Sequence, residues 1–416
     1  MGLWLYLSQK HSQKSRNRGM IRPLTSYFFA TGAWFLAYGM QTVLFAWLVT
    51  IVLNASPDKV GIAQMAYLLP GTLFMLIGGS IADQYGGRRI ALIGQSLAAI
   101  IAAGLAVSMM LTSLSYEKFL LFAVCMGCAQ AILTPARDGI LPLVADGQIQ
   151  RRVAQVSLIQ FGVQMIGILI ASLADALGAI VMLSIQSVVL TVGVFAYQTL
   201  RIPLIQSART QSSILHQLGA SIYEGFNSVK ASSAMRVVVL QNVAMGICFM
   251  GSYIVTIPLL IREVYSGSST EMSIVNAANS LGLFLTIMIL LRFGDIARKG
   301  RALLTAQGLG ALVLAATALD LPFSFLTGIL FFWGMCGGIA MTMARTIMQE
   351  HSPEDQRGRM MAFYAFSFMG AGPIGALISG YLVAWFGPSS ALAIASLAMF
   401  AVVISVRLRS DLWKLT

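Results

Sequence analysis

Charge is what this sequence is short of. Asp, Glu, Lys and Arg together make up 10% of its 416 residues, 57% are hydrophobic, and mean hydropathy is strongly positive. A soluble domain of this size cannot cover its surface with so few charges, so a water-soluble fold is excluded. Cysteine is scarce too. Cys125 and Cys128 form a C-x-x-C, but no second pair or nearby histidine completes a metal site, and Cys248 and Cys336 stand alone in apolar runs. His11, His216 and His351 converge on no motif. No metal or cofactor is expected, and the cysteines read as small core residues. No signal peptide is expected: "GLWLYL" is too short and precedes Lys10, Lys14, Arg16, Arg18 and Arg22, the reverse of the charge-then-apolar order. That opening stretch reads as an interfacial anchor or as disordered chain.

What the sequence has is long apolar runs. A bilayer core about 30 Å thick takes roughly 20 helical residues to cross. Twelve segments qualify: 24–53, 60–81, 90–112, 117–136, 153–175, 177–200, 236–261, 272–291, 302–320, 322–344, 360–385 and 388–406. They are continuously apolar, whereas strands of a membrane barrel alternate polar and apolar residues. The expected fold is an all-α membrane protein. No Asp, Glu, Lys, Arg or His falls at the middle of any of these runs, so the intramembrane charge that normally marks an ion pathway is absent.

The few charges are unevenly placed. With twelve crossings both termini share one face, and all but Lys59, Lys118 and Arg262 of the 27 Lys and Arg lie on that face. By the positive-inside rule both termini are cytoplasmic, with the loops 82–89, 137–152, 201–235, 292–301 and 345–359. The net charge of +12 then reflects topology and attraction to anionic membrane lipids, and calls for no nucleic acid.

An internal repeat is present. "ADQYGGRRIALIGQSL" at 82–97 lines up with "GDIARKGRALLTAQGL" at 294–309, pairing Asp83 with Asp295, Arg89 with Arg301 and Gln95 with Gln307. "TPARDGILPLVADGQIQRRVA" at 134–154 lines up with "TMARTIMQEHSPEDQRGRMMA" at 342–362, pairing Arg137 with Arg345 and Arg151 with Arg359. The offsets, 212 and 208 residues, are both about half the chain. The expected organisation is a cytoplasmic tail (1–23), an N-terminal six-helix bundle (24–200), a cytoplasmic linker (201–235), a C-terminal six-helix bundle (236–406) and a tail (407–416). Parallel repeats of this kind build rocker transporters, with substrate held between the halves near the midplane.

"GGSIADQYGGRR" resembles the loop signature of the major facilitator superfamily, with Gly79, Asp83, Gly86, Arg88 and Arg89 on matching or near-matching positions. Gln84 stands where an Arg is usual, and Gly87 replaces the first basic residue after the second glycine. "PARDGILPLV", "YEGFNSVKASSAMRVVVL" and the run from Arg345 to Gly387 are similar to the enterobactin-exporter branch, the third drug:proton antiporter group. The resemblance implies a cytoplasmic latch in which Asp83 meets the start of helix 11 near Arg357–Met361. Asp295, Arg298 and Arg301, with Lys299, are its expected mirror copy. Arg137 with Asp138, and Arg345 with Glu350, follow the ends of helices 4 and 10 and either complete the cytoplasmic charge network, together with Arg359, or form local salt bridges and snorkelling side chains. Asp83 ends a helix whose dipole disfavours an anion there, so it needs a cationic or helix-N-terminal partner. A latch worth about 1 to 3 kcal/mol biases the two states about 5- to 150-fold. "GAGPIGALISG" at 370–380 resembles the antiporter glycine-proline motif, here on helix 11 in place of helix 5.

Uncharged polar residues recur in the inner spans: Tyr38, Gln41 and Thr42, Gln130, Gln160 and Gln164, Asn242 and Tyr253, Asn276 and Asn279, and Tyr364. Polar groups in hydrocarbon either line a cavity or bond between helices. As a set with Met and aromatic neighbours they suggest a broadly tolerant amphipathic site. Proton coupling is implied by the resemblance alone, with Asp138, Asp175 and Glu263 as candidate carboxylates. The leading expectation is a monomeric, plasma-membrane exporter (bacterial inner membrane) of amphipathic organic molecules, drug-like compounds or a siderophore, by alternating access with protons. Lysophospholipid flipping and a membrane sensor that does not transport are alternatives. An intramembrane protease is disfavoured, because "RFGD" at 292–295 lacks the first glycine of G-x-G-D and no second midspan aspartate faces Asp295.

Overall fold

The computed structural model describes residues 23–145, 148–200, 229–293, 296–319, 321–353 and 357–414, and no strand occurs among them. α1 (Pro23–Trp47) continues through a π turn at Leu48–Val52. It is followed by α2 (Pro57–Tyr85), α3 (Gly87–Leu111), α4 (Tyr116–Val144), α5 (Ile149–Ala171) and α6 (Ala179–Thr199). α7 runs from Ser233–Met245 through π turns at Gly246–Met250 and Ser252–Thr256 into Ile257–Glu263. Then come α8 (Ser269–Phe293), α9 (Lys299–Ala316) and α10 (Phe323–His351). α11 starts as Arg357–Met369 and resumes at Gly372; the helix Gly372–Arg409 is broken at Gly387 (φ 79°, ψ 166°), ahead of Pro388, and the stretch beyond is α12.

Among the described residues, nine helical stretches are long and apolar enough to cross a bilayer, one of them the continuous run Met360–Arg409 that holds α11 and α12. Their outward side chains suit hydrocarbon: Leu111 is 78% exposed and Leu291 76%. Local chemistry sets the ends. Pro57 sits in the first turn of α2, where its missing N–H costs nothing, and the Ser115 and Ser232 side chains accept from the Lys118 and Met235 amides to cap α4 and α7. Gly86, at φ 90°, is the whole connection between α2 and α3, a conformation a side chain would oppose.

Two expected loops shrink. α4 and α10 run on to Val144 and His351, so Arg137, Asp138, Arg345 and Glu350 belong to helices instead of to loops 137–152 and 345–359. Hydropathy marks where lipid ends; a helix is free to continue into water beyond it. Conversely, α5 stops at Ala171 and Asp175 sits in a separate turn, Ala174–Leu177.

α1 packs on α5 and α6, α2 on α4, and α3 on α4 and α6; α8 packs on α10, α9 on α10 and α12, and α7 on α11. Two seams join these groups, α2 with α11 and α5 with α8. At the first seam the backbones nearly touch: a Cβ on Gly61 would lie 2.7 Å from the Ala376 carbonyl oxygen and 2.9 Å from the Gly380 Cα.

Candidate functional site

A cavity of about 680 Å³ lies between α1 and α5 on one side and α7, α8, α10 and α11 on the other. Its size suits a drug-like molecule. Tyr38 and Thr42 of α1 and Gln160, Gln164 and Met165 of α5 face Phe249, Met250 and Tyr253 of α7, Asn276 and Asn279 of α8, and Trp333 and Met341 of α10. No described residue lining it is charged. The π turns of α7 supply Phe249, Met250, Tyr253 and Ile254, so the helix is locally widened where it borders the cavity.

Some of the polar lining is already committed. Tyr253 Oη donates to Asn276 Oδ1 at 2.7 Å, Asn276 Nδ2 donates to the Met272 carbonyl at 2.7 Å, and Asn279 Nδ2 to the Leu330 carbonyl at 3.2 Å. Gln160, Gln164 and the Tyr38 hydroxyl make no hydrogen bond to any described residue. The other polar residues singled out in the sequence bind helices together. Gln186 Nε2 donates to Gln41 Oε1 (2.7 Å) between α6 and α1, Tyr67 Oη to Gln130 Oε1 (2.5 Å) between α2 and α4, and Asn242 Nδ2 to the Tyr364 carbonyl and Ser367 Oγ (both 3.2 Å) between α7 and α11. Tyr364 Oη donates to the Met341 carbonyl at 3.2 Å. Sequence reasoning missed Trp333, Phe249, Phe161 and Phe284, which read as ordinary apolar positions. Trp333 meets Phe249 edge-on at 5.6 Å, and Phe161 of α5 meets Phe284 of α8 at 6.3 Å across a seam.

One end of the bundle, opposite the basic loops, is stitched across the seams. Asp175 Oδ1 accepts from Trp47 Nε1 at 2.8 Å, and Oδ2 accepts from the Ser269 amide (2.9 Å) and hydroxyl (2.5 Å) at the start of α8. The Asp175 amide in turn donates to Ser269 Oγ at 3.2 Å, and the Thr270 hydroxyl donates to the Ser172 carbonyl at 3.2 Å. Burial alone would raise the Asp175 carboxyl, but hydrogen bonds from Ser268, Ser269 and Trp47 outweigh it and hold the group below the ordinary aspartate value. Arg262 adds a second stitch: Nη1 donates to the Thr50 and Ala55 carbonyls at 3.2 and 2.7 Å, while Nη2 pairs with Glu263 at 2.6 Å. Gln64 Nε2 of α2 reaches the Ile254 carbonyl of α7 at 3.1 Å.

At the basic end the described charged contacts stay within one group of helices. Arg88 donates to the Tyr197 (3.0 Å) and Gln198 (2.7 Å) carbonyls, neutralising the C-terminus of α6. Arg137, its side chain 7% exposed, pairs with its neighbour Asp138 at 2.9 Å and stacks over the Phe35 ring at 4.6 Å. Lys299 pairs with Glu350 at 2.5 Å, and Arg301 donates to the Trp413 carbonyl at 3.2 Å. Arg89, Arg298 and Arg345 are exposed. Gly79 lies within α2, while the Asp83 and Arg359 side chains and the whole of Asp295 lie outside the described residues, and with them the expected latch contacts.

A family model described as transmembrane secretion effector matches residues 24–414. The multidrug efflux pump Tap of Mycolicibacterium fortuitum is 24% identical over 368 residues, covering 86% of this chain and 89% of that protein. Among solved structures, the nucleoside transporter NupG superposes with a TM-score of 0.75 at 13% identity, covering 95% of this chain and 100% of NupG. A D-xylose–proton symporter superposes with a TM-score of 0.72 at 14% identity, covering 94% of this chain and 98% of that one. At such identities the structural likeness speaks for the fold alone. An all-helical bundle around a shared central cavity and a family match over nearly the whole length agree: the chain belongs to the transmembrane secretion effector family of major facilitator transporters.

Proposed function

We propose that this protein exports amphipathic organic molecules across a bacterial inner membrane by alternating access, driven by protons. The observation that carries the reading is the cavity. It is apolar with uncommitted amides, lies between two groups of helices, and is shut at one end by contacts that cross between them. Transport by rocking needs a central site and ends that close in turn. With both tails cytoplasmic, as the distribution of Lys and Arg implies, the Asp175 end is periplasmic and the present state faces inward.

In this reading the segment from Gly79 to Arg89, with Asp295, Arg298, Arg301, Arg137, Arg345 and Arg359, closes the cytoplasmic end in the other state. Asp83→Asn should then depress turnover about 5-fold or more at near-normal expression, measured as flux per reconstituted protein; wild-type flux would remove Asp83 from the gate. None of the coupling candidates, Asp138, Asp175 and Glu263, lines the cavity. Asp138 is the one we favour as carrier, because its carboxylate reaches solvent and is also the anionic partner of the buried Arg137, which links its charge to the way that guanidinium is held between the helices.

The test is flux of a fluorescent drug, a siderophore and a labelled lysolipid from liposomes of the purified protein, with and without an imposed pH gradient. Drug or siderophore flux accelerated by the gradient is the expected result. Flux indifferent to the gradient would remove the proton, and no flux of any of the three would remove export.

A further inference from the structure

Resting on the export reading, the inference concerns what the cavity accepts. We infer that it selects molecules without net charge, built on a flat aromatic or conjugated ring that carries amide-like hydrogen-bonding groups along one edge.

The first support is electrostatic. None of the described lining residues carries a charge, and the charges nearest its closed end are already engaged: Asp175 by Trp47 and Ser269, Arg262 by two carbonyls and Glu263. An ion entering the cavity therefore sheds water and meets no counterion among the described lining residues. The aromatic wall compensates a cation only in part, because Trp333 is already packed against both Phe249 and Tyr253.

The second support is the arrangement of polar groups. Gln160 and Gln164 stand one turn apart on α5, about 6 Å along the helix axis, so their side chains leave the same face of the helix. Neither bonds to a described residue, and each presents both a donor and an acceptor to the cavity. Across from them stand the rings of Phe249 and Trp333. A planar solute that stacks on the rings and aligns a carbonyl and an N–H with the two amides satisfies both walls at once. Met165, Met250 and Met341 between them adapt to outline, so shape is tolerated more readily than charge. With no carboxylate among the described lining residues, proton and substrate do not compete for one acidic group.

The test uses phenanthridinone, an uncharged planar lactam whose carbonyl and N–H lie side by side on one edge, against N-methylphenanthridinium, a permanent cation of about the same size. Binding is read by fluorescence anisotropy with the purified protein in lipid nanodiscs, after subtracting uptake by empty nanodiscs. Phenanthridinone should bind at least about tenfold more tightly than the cation. Gln160→Leu with Gln164→Leu should weaken phenanthridinone about tenfold and leave the cation unchanged, whereas Gln164→Glu should turn the preference toward the cation. Equal or tighter binding of N-methylphenanthridinium by the wild type, or phenanthridinone binding indifferent to both glutamines, overturns the inference. If neither compound binds while liposomes still move other amphiphiles, the inference fails and export stands; if nothing moves, export itself fails.

Discussion

Replacing Asp175 with alanine should open the clasped end of the cavity, which is periplasmic in the proposed topology. The carboxylate takes three hydrogen bonds that tie the turn after α5 to Trp47 and to the first residue of α8. Bonds to a charged acceptor are worth about 1.5 to 3 kcal/mol each when buried, but Asp175 has an exposed side, so a net bias of about 1 to 2 kcal/mol is the sound expectation. That shifts the two states about 5- to 30-fold. In a background with Cys125, Cys128, Cys248 and Cys336 replaced, a cysteine introduced at Thr42 reports the change, because Thr42 lines the cavity toward the Asp175 end of α1. A membrane-impermeant maleimide added from outside should label it several times faster in the Asp175→Ala protein, with Trp47→Phe intermediate. An unchanged rate removes the clasp. The pH dependence has a definite sign. A carboxyl held below its ordinary value keeps the clasp intact above the ordinary aspartate range and loses it only as pH falls through the depressed value. The ratio of Asp175→Ala to wild-type labelling rates, in which the rise of the thiolate with pH cancels, should therefore stay flat between about pH 5.5 and 8.

Gly61→Val should abolish transport by a route that involves no charge. A Cβ at Gly61 meets the backbone of α11 at 2.7 and 2.9 Å, and backbone cannot swing aside as a side chain would. α2 and α11 must separate, and the periplasmic end is then wedged open. Flux should fall by about tenfold or more at near-normal expression, with Gly61→Ala less affected and fast labelling at Thr42 in both. Gly71→Val, on the same helix where nothing lies within 4 Å, is the control and should transport normally. Wild-type flux through Gly61→Val would show that this close approach is no part of the cycle.

The apolar runs were legible because each has to bury or expose a full turn of side chains, so composition alone locates the helices. Their ends were not: α4 runs past Pro135 to Val144 although charge begins at Arg137, since hydropathy reports lipid and not backbone. The cavity was half legible. Gln160 and Gln164 share a face by spacing, but nothing in the sequence separates them from Gln41 and Gln130, which meet Gln186 and Tyr67 from other helices. Polarity in a span says that a partner is needed; only packing says whether that partner is a side chain or a solute. The clasp was illegible in principle, because Trp47, Asp175 and Ser269 lie about a hundred residues apart and join through tertiary contact alone.

In the proposed transport cycle two groups of helices swing about the cavity, and paired spin-label distances test this directly. One pair belongs at the periplasmic end, on Leu177 and Val264, and one at the cytoplasmic end, on Val153 and Leu291, all exposed. On adding substrate under an inward pH gradient, the first distance should lengthen while the second shortens. Distances that stay fixed, or that lengthen and shorten together, would contradict it.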